Sequence, residues 1–238
     1  NAYMQVEPIK NLKFKTVFAV GYSASDYRSY TPSYSFSPQG GNTEESVRQS
    51  NGNGLSMVWT NTLSYDFTVR GGHDITALIG SEWSSYDGSQ TNGYNTGIVP
   101  GFNDWDHAYL TNINNKTNQE AKGSPYDPTR SMSYFARLGW SWKDRYMVNA
   151  TLRADGSSKF APGKRWGYFP SVSAGWTVSE ESFMNSTKSW MDFLKLRASW
   201  GQVGNANINC WQYLAPVVTT NANYNFGTNG GQEGWSTG

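Results

Sequence analysis

The stretch SYFARLGWSWKDRYMVNATLRADGSSKF, residues 133 to 160, decides the fold class. In its first half Tyr134, Ala136, Leu138, Trp140 and Trp142 share one side of an extended chain, while Phe135, Arg137, Gly139 and Ser141 share the other. Successive side chains of a strand point to opposite faces, so this period of two marks a strand with one apolar and one polar face. Lys143-Asp144-Arg145 interrupts the pattern, and a second run then sets Tyr146, Val148, Ala150 and Leu152 against Asn149, Thr151 and Arg153. Two such runs joined by a short polar link predict a hairpin. At its far end Asp155-Gly156 is a turn dipeptide able to adopt positive φ, so the second strand is expected to give way to a loop there.

The same alternation recurs outward from this hairpin, in seven runs altogether. Residues 11 to 22 place Leu12, Phe14, Phe18, Val20 and Tyr22 with Thr16, opposite Lys13 and Lys15. Residues 54 to 69 place Leu55, Met57, Trp59, Leu63, Tyr65 and Phe67 together, with Asn61 as the polar exception. Residues 74 to 85 repeat the pattern with Ile75, Ala77, Ile79 and Trp83, Leu78 falling on the wrong side. After the hairpin, residues 165 to 178 carry Tyr168, Val172, Ala174, Trp176 and Val178, and residues 193 to 201 set Leu194, Leu196, Ala198 and Trp200 against Lys195, Arg197 and Ser199. Pro170 lacks a ladder donor, so a bulge is expected beside Gly167.

Connection lengths sort with equal regularity. Residues 23 to 53, 86 to 131, 154 to 164 and 202 onward read as long loops, while residues 70 to 73 and 143 to 145 are short links. The link after residue 178 is expected to hold a helical turn capped by Ser179 or Ser182. Short links at one end of a sheet and long loops at the other are the arrangement of an outer-membrane barrel. Trp140, Trp142, Tyr146, Tyr65, Phe67 and Trp176 would gather near the short-link rim, with Tyr22, Tyr168 and Trp200 toward the other. Two aromatic bands bracketing an apolar zone are interfacial girdles. Trp140, Trp142, Tyr146, Val148, Trp176, Leu196 and Trp200 are therefore the expected lipid-facing positions.

Composition agrees with this class. The chain is 16% aromatic with a mean hydropathy of −0.64, so it is rich in rings without being greasy. No run approaches the eighteen or so apolar residues of a membrane helix, which leaves strands as the means of crossing. Lys and Arg (19) nearly balance Asp and Glu (18), which gives no electrostatic footprint for nucleic acid. A lone Cys210 cannot close a disulfide within the chain. No basic segment followed by an apolar one opens the sequence, so no signal peptide is expected within it.

TLRADGSSKF, RWGYFPSVSAGWTVSEESFM and LKLRASWGQVGN, with TNTLSYDF and GGHDITALIGSE upstream, resemble in order and spacing the barrel signatures of SusC/RagA-type TonB-dependent outer-membrane transporters. The resemblance implies that residues 1 to 238 are an interior segment of a β-barrel of about 22 strands, the plug domain, signal peptide and barrel ends lying outside the chain. It implies active uptake of an oligosaccharide or peptide across the outer membrane of a Gram-negative bacterium. TonB acting through the plug and a SusD-like lipoprotein lid would be the partners. The fold class expected is thus all-β, an antiparallel transmembrane barrel segment of about seven strands with long extracellular loops. The alternative is a secreted all-β glycan-binding module, a soluble sandwich with aromatic-lined loops.

Site chemistry is sparse. His73 and His107 have no second histidine at metal-ligand spacing, and no nucleophile motif is present, so neither catalysis nor a cofactor is expected. Asp104 and Asp106 could ligate calcium, but two carboxylates in a loop are ordinarily just solvated. Ligand contact is expected from Trp105, Tyr109, Tyr94, Trp211 and Trp235, whose rings sit among Asn, Gly, Ser and Asp and would offer flat faces beside adaptable hydrogen-bonding groups. In the signature Arg153-Ala154-Asp155-Gly156-Ser157-Ser158, turn chemistry explains the residue types directly. Lys195 and Arg197 are expected to point into a wet or protein-filled lumen.

Overall fold

The alternation at residues 133 to 160 becomes two paired strands in a computed structural model of the chain, which describes residues 1–37, 40–99, 101–102, 104–112, 118–214, 217–224 and 232–237. Its strands, in chain order, are β1 (Ala2–Ile9), β2 (Leu12–Thr31), β3 (Tyr34–Ser37), β4 (Gly40–Asn42), β5 (Ser46–Val69), β6 (His73–Thr96) and β7 (Glu120–Pro125). They continue as β8 (Thr129–Trp142), β9 (Tyr146–Ser157), β10 (Trp166–Thr177), β11 (Lys195–Gly201), β12 (Val217–Tyr224) and β13 (Gln232–Thr237). Nine of these form one antiparallel sheet in the order β1-β2-β5-β6-β8-β9-β10-β11, with β7 paired to the loop-ward part of β6. β3 with β4 and β12 with β13 make separate two-stranded hairpins.

Register carries the apolar face from strand to strand without a slip between β2 and β11. One cross-sheet row is Val6, Phe14, Leu63, Ile79, Ala136, Leu152 and Pro170; two rows toward the loops lie Ala2, Phe18, Trp59, Trp83, Met132, Gly156 and Trp166. The opposite face presents Lys15, Thr62, Gly80, Phe135, Arg153 and Phe169 along the matching row. A one-residue slip would exchange the two faces, so the pairing is pinned by the contrast itself.

The two-residue turn Lys143-Asp144 closes β8 onto β9, with both residues at positive φ (49° and 55°) and Arg145 N–H donating to Trp142 O at 2.9 Å. Positive φ at both central positions matches the twist of the flanking strands. Asn11 and Gly71-Gly72 mark the other tight turns, and all three lie at one end of the sheet.

Several expectations are corrected. The sheet has nine strands, because β1 and β7 do not alternate cleanly and are held by pairing with β2 and β6. Much of residues 23 to 53 and 86 to 96 is strand, since β5 and β6 run 24 residues each. Asp155-Gly156 is not a turn: both residues are in register with Ser133 and Met132 on one side and Gly167 and Trp166 on the other. A Cβ at Gly156 would lie 3.0 Å from the Trp166 indole, so glycine there lets the ring pack close over the strand. Pro170 makes no bulge and pairs with Leu152 in unbroken register. Its carbonyl faces β11 and accepts from Gln202 N–H at 3.0 Å. Its missing donor therefore falls where the β11 ladder ends at Gly201. The link after β10 holds two 3₁₀ turns, Val178–Glu180 and Ser182–Thr187, whose caps are Thr177 and Glu181 without side-chain capping bonds, not Ser179 or Ser182.

Among the described residues no second layer covers the apolar face from the tight turns up to the level of Trp59. Trp59, Leu138, Leu196 and Trp200 are 49%, 54%, 54% and 61% exposed, and the buried hydrophobic residues among those described are Val47, Ile98, Ala108 and Val178. The chain presents 17,077 Å² of surface, where a compact globule of this mass presents about 11,000 Å². A soluble sandwich requires a facing sheet over these side chains, and the described residues supply none.

Candidate functional site

On the polar face Arg153 stands in register between Phe135 and Phe169 and ties three strands together. Its Nε donates to Asp155 Oδ1 at 2.7 Å, and Nη2 donates to Ser133 Oγ at 3.0 Å and to Glu82 Oε1 at 3.5 Å. Thr60 Oγ1 donates to the other Glu82 oxygen at 3.2 Å, and the guanidinium lies 5.5 Å from the Phe135 ring. Alternation forces this meeting: Glu82, Ser133, Arg153 and Asp155 all fall on the polar parity of β6, β8 and β9. Ser157 and Ser158 bind locally, with Ser158 Oγ accepting from Arg130 N–H at 2.9 Å and Ser157 Oγ from Lys159 N–H at 3.3 Å. The signature residues thus join strands and anchor the β9–β10 loop. Below them, toward the tight turns, Arg137, Lys195 and Arg197 share the face with Asn149, Ser173 and Ser199.

Higher on the same face, toward the long loops, Tyr86 and Tyr126 stack with centroids 6.3 Å apart. Gly52, Gly54 and Gly88 bare the backbone beneath them: a Cβ at Gly54 would sit 2.6 Å from the Tyr86 hydroxyl, and one at Gly52 2.6 Å from that of Tyr126. Arg48 lies 5.1 Å over the Tyr94 ring nearby in register. Flat rings, hydroxyls and a cation above a floor of Ser, Gln and Asn side chains suit a polar ligand with apolar faces. Tyr86, Tyr126 and Arg48 were invisible as a group in the sequence, because β5 and β6 had to be known to continue this far before their register could bring them together.

The residues expected to contact ligand do not form one site. Tyr94 lies on the polar face, but Trp105 and Tyr109 clamp Arg28 at 4.4 and 4.1 Å, and Arg28 belongs to the apolar parity of β2. The segment carrying them folds over the outward side of β2, β5 and β6, where Val47, Ile98 and Ala108 are buried with Tyr30 and Leu110 against them. Trp211 Nε1 donates to Asp127 Oδ1 at 3.2 Å in a separate loop. Trp235 falls in β13 opposite Thr219, and its side chain lies outside the described residues. Asp104 is held by His107, whose ring Nδ1 and backbone N–H both reach Oδ1 at 2.9 Å. That pairing with His107 draws its carboxyl below the usual range. Among the described residues no cluster of His, Cys, Asp and Glu could hold a metal.

The expected girdle residues line the tight-turn rim as a ladder of rings. Trp140 and Trp142 flank His73 at 5.9 Å each, Trp142 meets Tyr146 at 5.7 Å, Tyr146 meets Trp176 at 6.3 Å, and Phe183 closes edge-on at 6.4 Å. Their polar tips turn toward the link: Tyr146 O–H donates to Glu181 at 2.7 Å and Trp176 Nε1 to the same oxygen at 3.2 Å. Tyr146, then Trp176, with Arg145 at 3.8 Å, hold the Glu181 carboxyl below its ordinary pKa. Trp142 Nε1 donates to Gly71 O at 2.9 Å. Val148 pairs with Trp140 and Leu196 with Trp176, so both stand level with this ladder on the apolar face, and Trp200 pairs with Val172 farther toward the loops.

An antiparallel sheet with one apolar and one polar face, tight turns at one end and long strand extensions at the other has the pattern of a transmembrane β-barrel wall. The chain belongs to the TonB dependent receptor-like, beta-barrel family, whose profile matches residues 7–236. It is 29% identical over 226 residues to TonB-dependent receptor P39 of Formosa agariphila, covering 90% of this chain and 20% of that protein. It is 34% identical over 183 residues to TonB-dependent receptor SusC of Bacteroides thetaiotaomicron, covering 74% of this chain and 17% of that protein. Among solved structures, the RagAB peptide importer in its open-open state superposes with a TM-score of 0.76 at 23% identity, over 99% of this chain and 24% of the other. The chain is therefore a fragment of the SusC/RagA type, spanning about a fifth of the length of these relatives.

Proposed function

We propose that residues 1 to 238 form an interior arc of the barrel of an outer-membrane TonB-dependent transporter, embedded in a Gram-negative outer membrane. The whole protein would import an oligosaccharide or a peptide through rearrangement of a plug driven by TonB, under a SusD-like lipoprotein lid. The observation that carries this reading is the contrast of faces held in register across β2 to β11, with the apolar one uncovered. Lipid on one side and a plug on the other would account for the surplus of exposed surface. The peptide class is suggested by the structural neighbour RagAB, a peptide importer, and the oligosaccharide class by the resemblance to SusC/RagA-type transporters. Stacked Tyr86 and Tyr126 over a glycine floor are the surface this arc would offer a passing ligand.

The test is uptake by the complete receptor in cells with and without functional TonB, using labelled oligosaccharide and peptide pools. Accumulation that requires both the receptor and TonB is expected. Recovery of the receptor as a water-soluble secreted protein, or accumulation unaffected by loss of TonB, would overturn the reading.

A further inference from the structure

We propose that Thr16, Asn61 and Ser81 form a neutral hydrogen-bonding site for a membrane lipid whose acyl chain carries a hydroxyl or an amide close to its head. The inference rests on the membrane-spanning reading above. These residues sit side by side in one cross-strand row on the apolar face of β2, β5 and β6. The row on the tight-turn side is Phe14, Leu63 and Ile79; the row on the loop side is Phe18, Trp59 and Trp83. Three polar side chains therefore lie level with Tyr134, at the loop-ward edge of the apolar band and one row inside the tryptophans, where water is scarcer and an unmatched amide is costly.

The protein answers only part of this demand. Trp59 Nε1 donates to Thr16 Oγ1 at 2.9 Å, while Asn61 and Ser81 make no side-chain hydrogen bond with another described residue. Around them Trp59, Trp83 and Met132 wall a cleft of about 450 Å³ that opens outward from the sheet. Flat rings and a thioether fit a linear alkyl chain, and Asn61 supplies both donor and acceptor at the tight-turn end of the cleft.

Charge decides what the occupant is. The charged groups farther along this face, Asp87 and Arg130, are paired with each other at 2.8 Å, and Asp26 accepts from Asn51 at 3.3 Å. No cation stands at the Asn61 row to meet a phosphate, so the polar atoms recognised must be uncharged and must sit on the chain itself.

The complete receptor would be reconstituted in vesicles containing phosphatidylcholine brominated on its acyl chains, which quenches indoles it touches. The contribution of Trp59 and Trp83 is the difference from W59F/W83F. A 3-hydroxyacyl amide lipid is then titrated against an ester lipid of equal length lacking both groups. The amide lipid is expected to displace the brominated chain at a concentration about fivefold lower for each hydrogen bond gained. In T16V/N61L/S81A, which keeps or adds apolar surface, the two lipids should become equivalent. Equal displacement in the wild type overturns the site while leaving the membrane-facing wall intact. Absence of any quenching of Trp59 and Trp83 overturns the wall and the site together.

Discussion

Replacing Leu138 by arginine separates a lipid-facing wall from a solvated one. Leu138 is four residues from Tyr134 and four from Trp142 along β8, so it sits midway between the two aromatic levels. Eight residues at about 3.4 Å, tilted about 40° from the barrel axis, give an apolar band about 21 Å tall, close to that of outer-membrane barrels. Leu138 lies in register between Ala77 and Ala150 and is 54% exposed. Neither small neighbour offers a charge or a hydrogen-bonding group to which a guanidinium could turn. At the midplane of a bilayer Leu138→Arg should cost about 3 kcal/mol, roughly a 150-fold fall in the folded ratio. On a wall bathed in water the same change at a half-exposed site would stay within about 0.5 kcal/mol. The assay is urea unfolding of the complete receptor in vesicles, read by tryptophan fluorescence. Ser141→Arg, on the polar face opposite Asp74, serves as the control and should be nearly silent. Equal behaviour of the two variants would refute the assignment of faces on which the transporter reading stands.

Removing the cation at the centre of the polar-face network by Arg153→Met leaves Glu82 and Asp155 without their shared partner; because the groups are a third or more exposed, the loss should be about 1 kcal/mol in the same unfolding assay, and R153M/E82Q/D155N should restore most of it. Gly156→Val drives a side chain into the Trp166 indole and should cost about 1–3 kcal/mol, with a shifted Trp166 emission as the accompanying sign. The Glu181 carboxyl is held below its ordinary pKa by Tyr146, then by Trp176 and Arg145. Its contribution is therefore present above the unfolded carboxylate value of about 4.3 and is lost as pH falls through the lower native value. Amide exchange in residues 178 to 191 should stay slow from neutral pH down to that range and quicken below it, whereas Glu181→Gln should exchange faster at neutral pH and lose the acid step.

The transmembrane part of the wall was legible because lipid and lumen impose opposite demands on alternate residues, and Tyr134 to Trp142 records those demands plainly. Beyond Leu55 the alternation fades, since both faces of residues 46 to 54 meet water or loop and Ser, Asn, Gln and Gly serve either. Strand there is sustained by backbone pairing with β2 and β6, which no local pattern reports. The same gap hid the candidate site. Trp105 and Tyr109 looked like ligand contacts by composition, yet their parity partner Arg28 draws them onto the outward face. Tyr86 and Tyr126 carry no local mark and gain meaning only from Gly52, Gly54 and Gly88 beside them. Asp155-Gly156 misleads for a related reason: a glycine selected to clear a ring reads like one selected for positive φ, and only Gly163, at φ 82°, is the turn glycine of that loop.

The extra strand length sets the geometry a ligand would meet. β5 and β6 each run 24 residues, whereas crossing the bilayer takes about 10, so roughly 14 residues of each stand clear of it. At about 3.4 Å per residue and the tilt of a barrel wall, that is a rampart about 35 Å high. Its inner side holds Tyr86, Tyr126, Tyr94 and Arg48, and its outer side is braced by the segment buried on Val47, Ile98 and Ala108. Bracing on the outside leaves the inner rings free of packing duties, which is the division of labour a ligand-facing vestibule requires. Loosening the brace by Arg28→Ala, which removes the guanidinium between Trp105 and Tyr109, should therefore speed amide exchange on the outward segment, residues 104 to 112, while leaving the Tyr86–Tyr126 stack in place. Exchange that quickens equally in β6 at Tyr86 would mean that the two sides are one cooperative unit and that the vestibule is not independently supported.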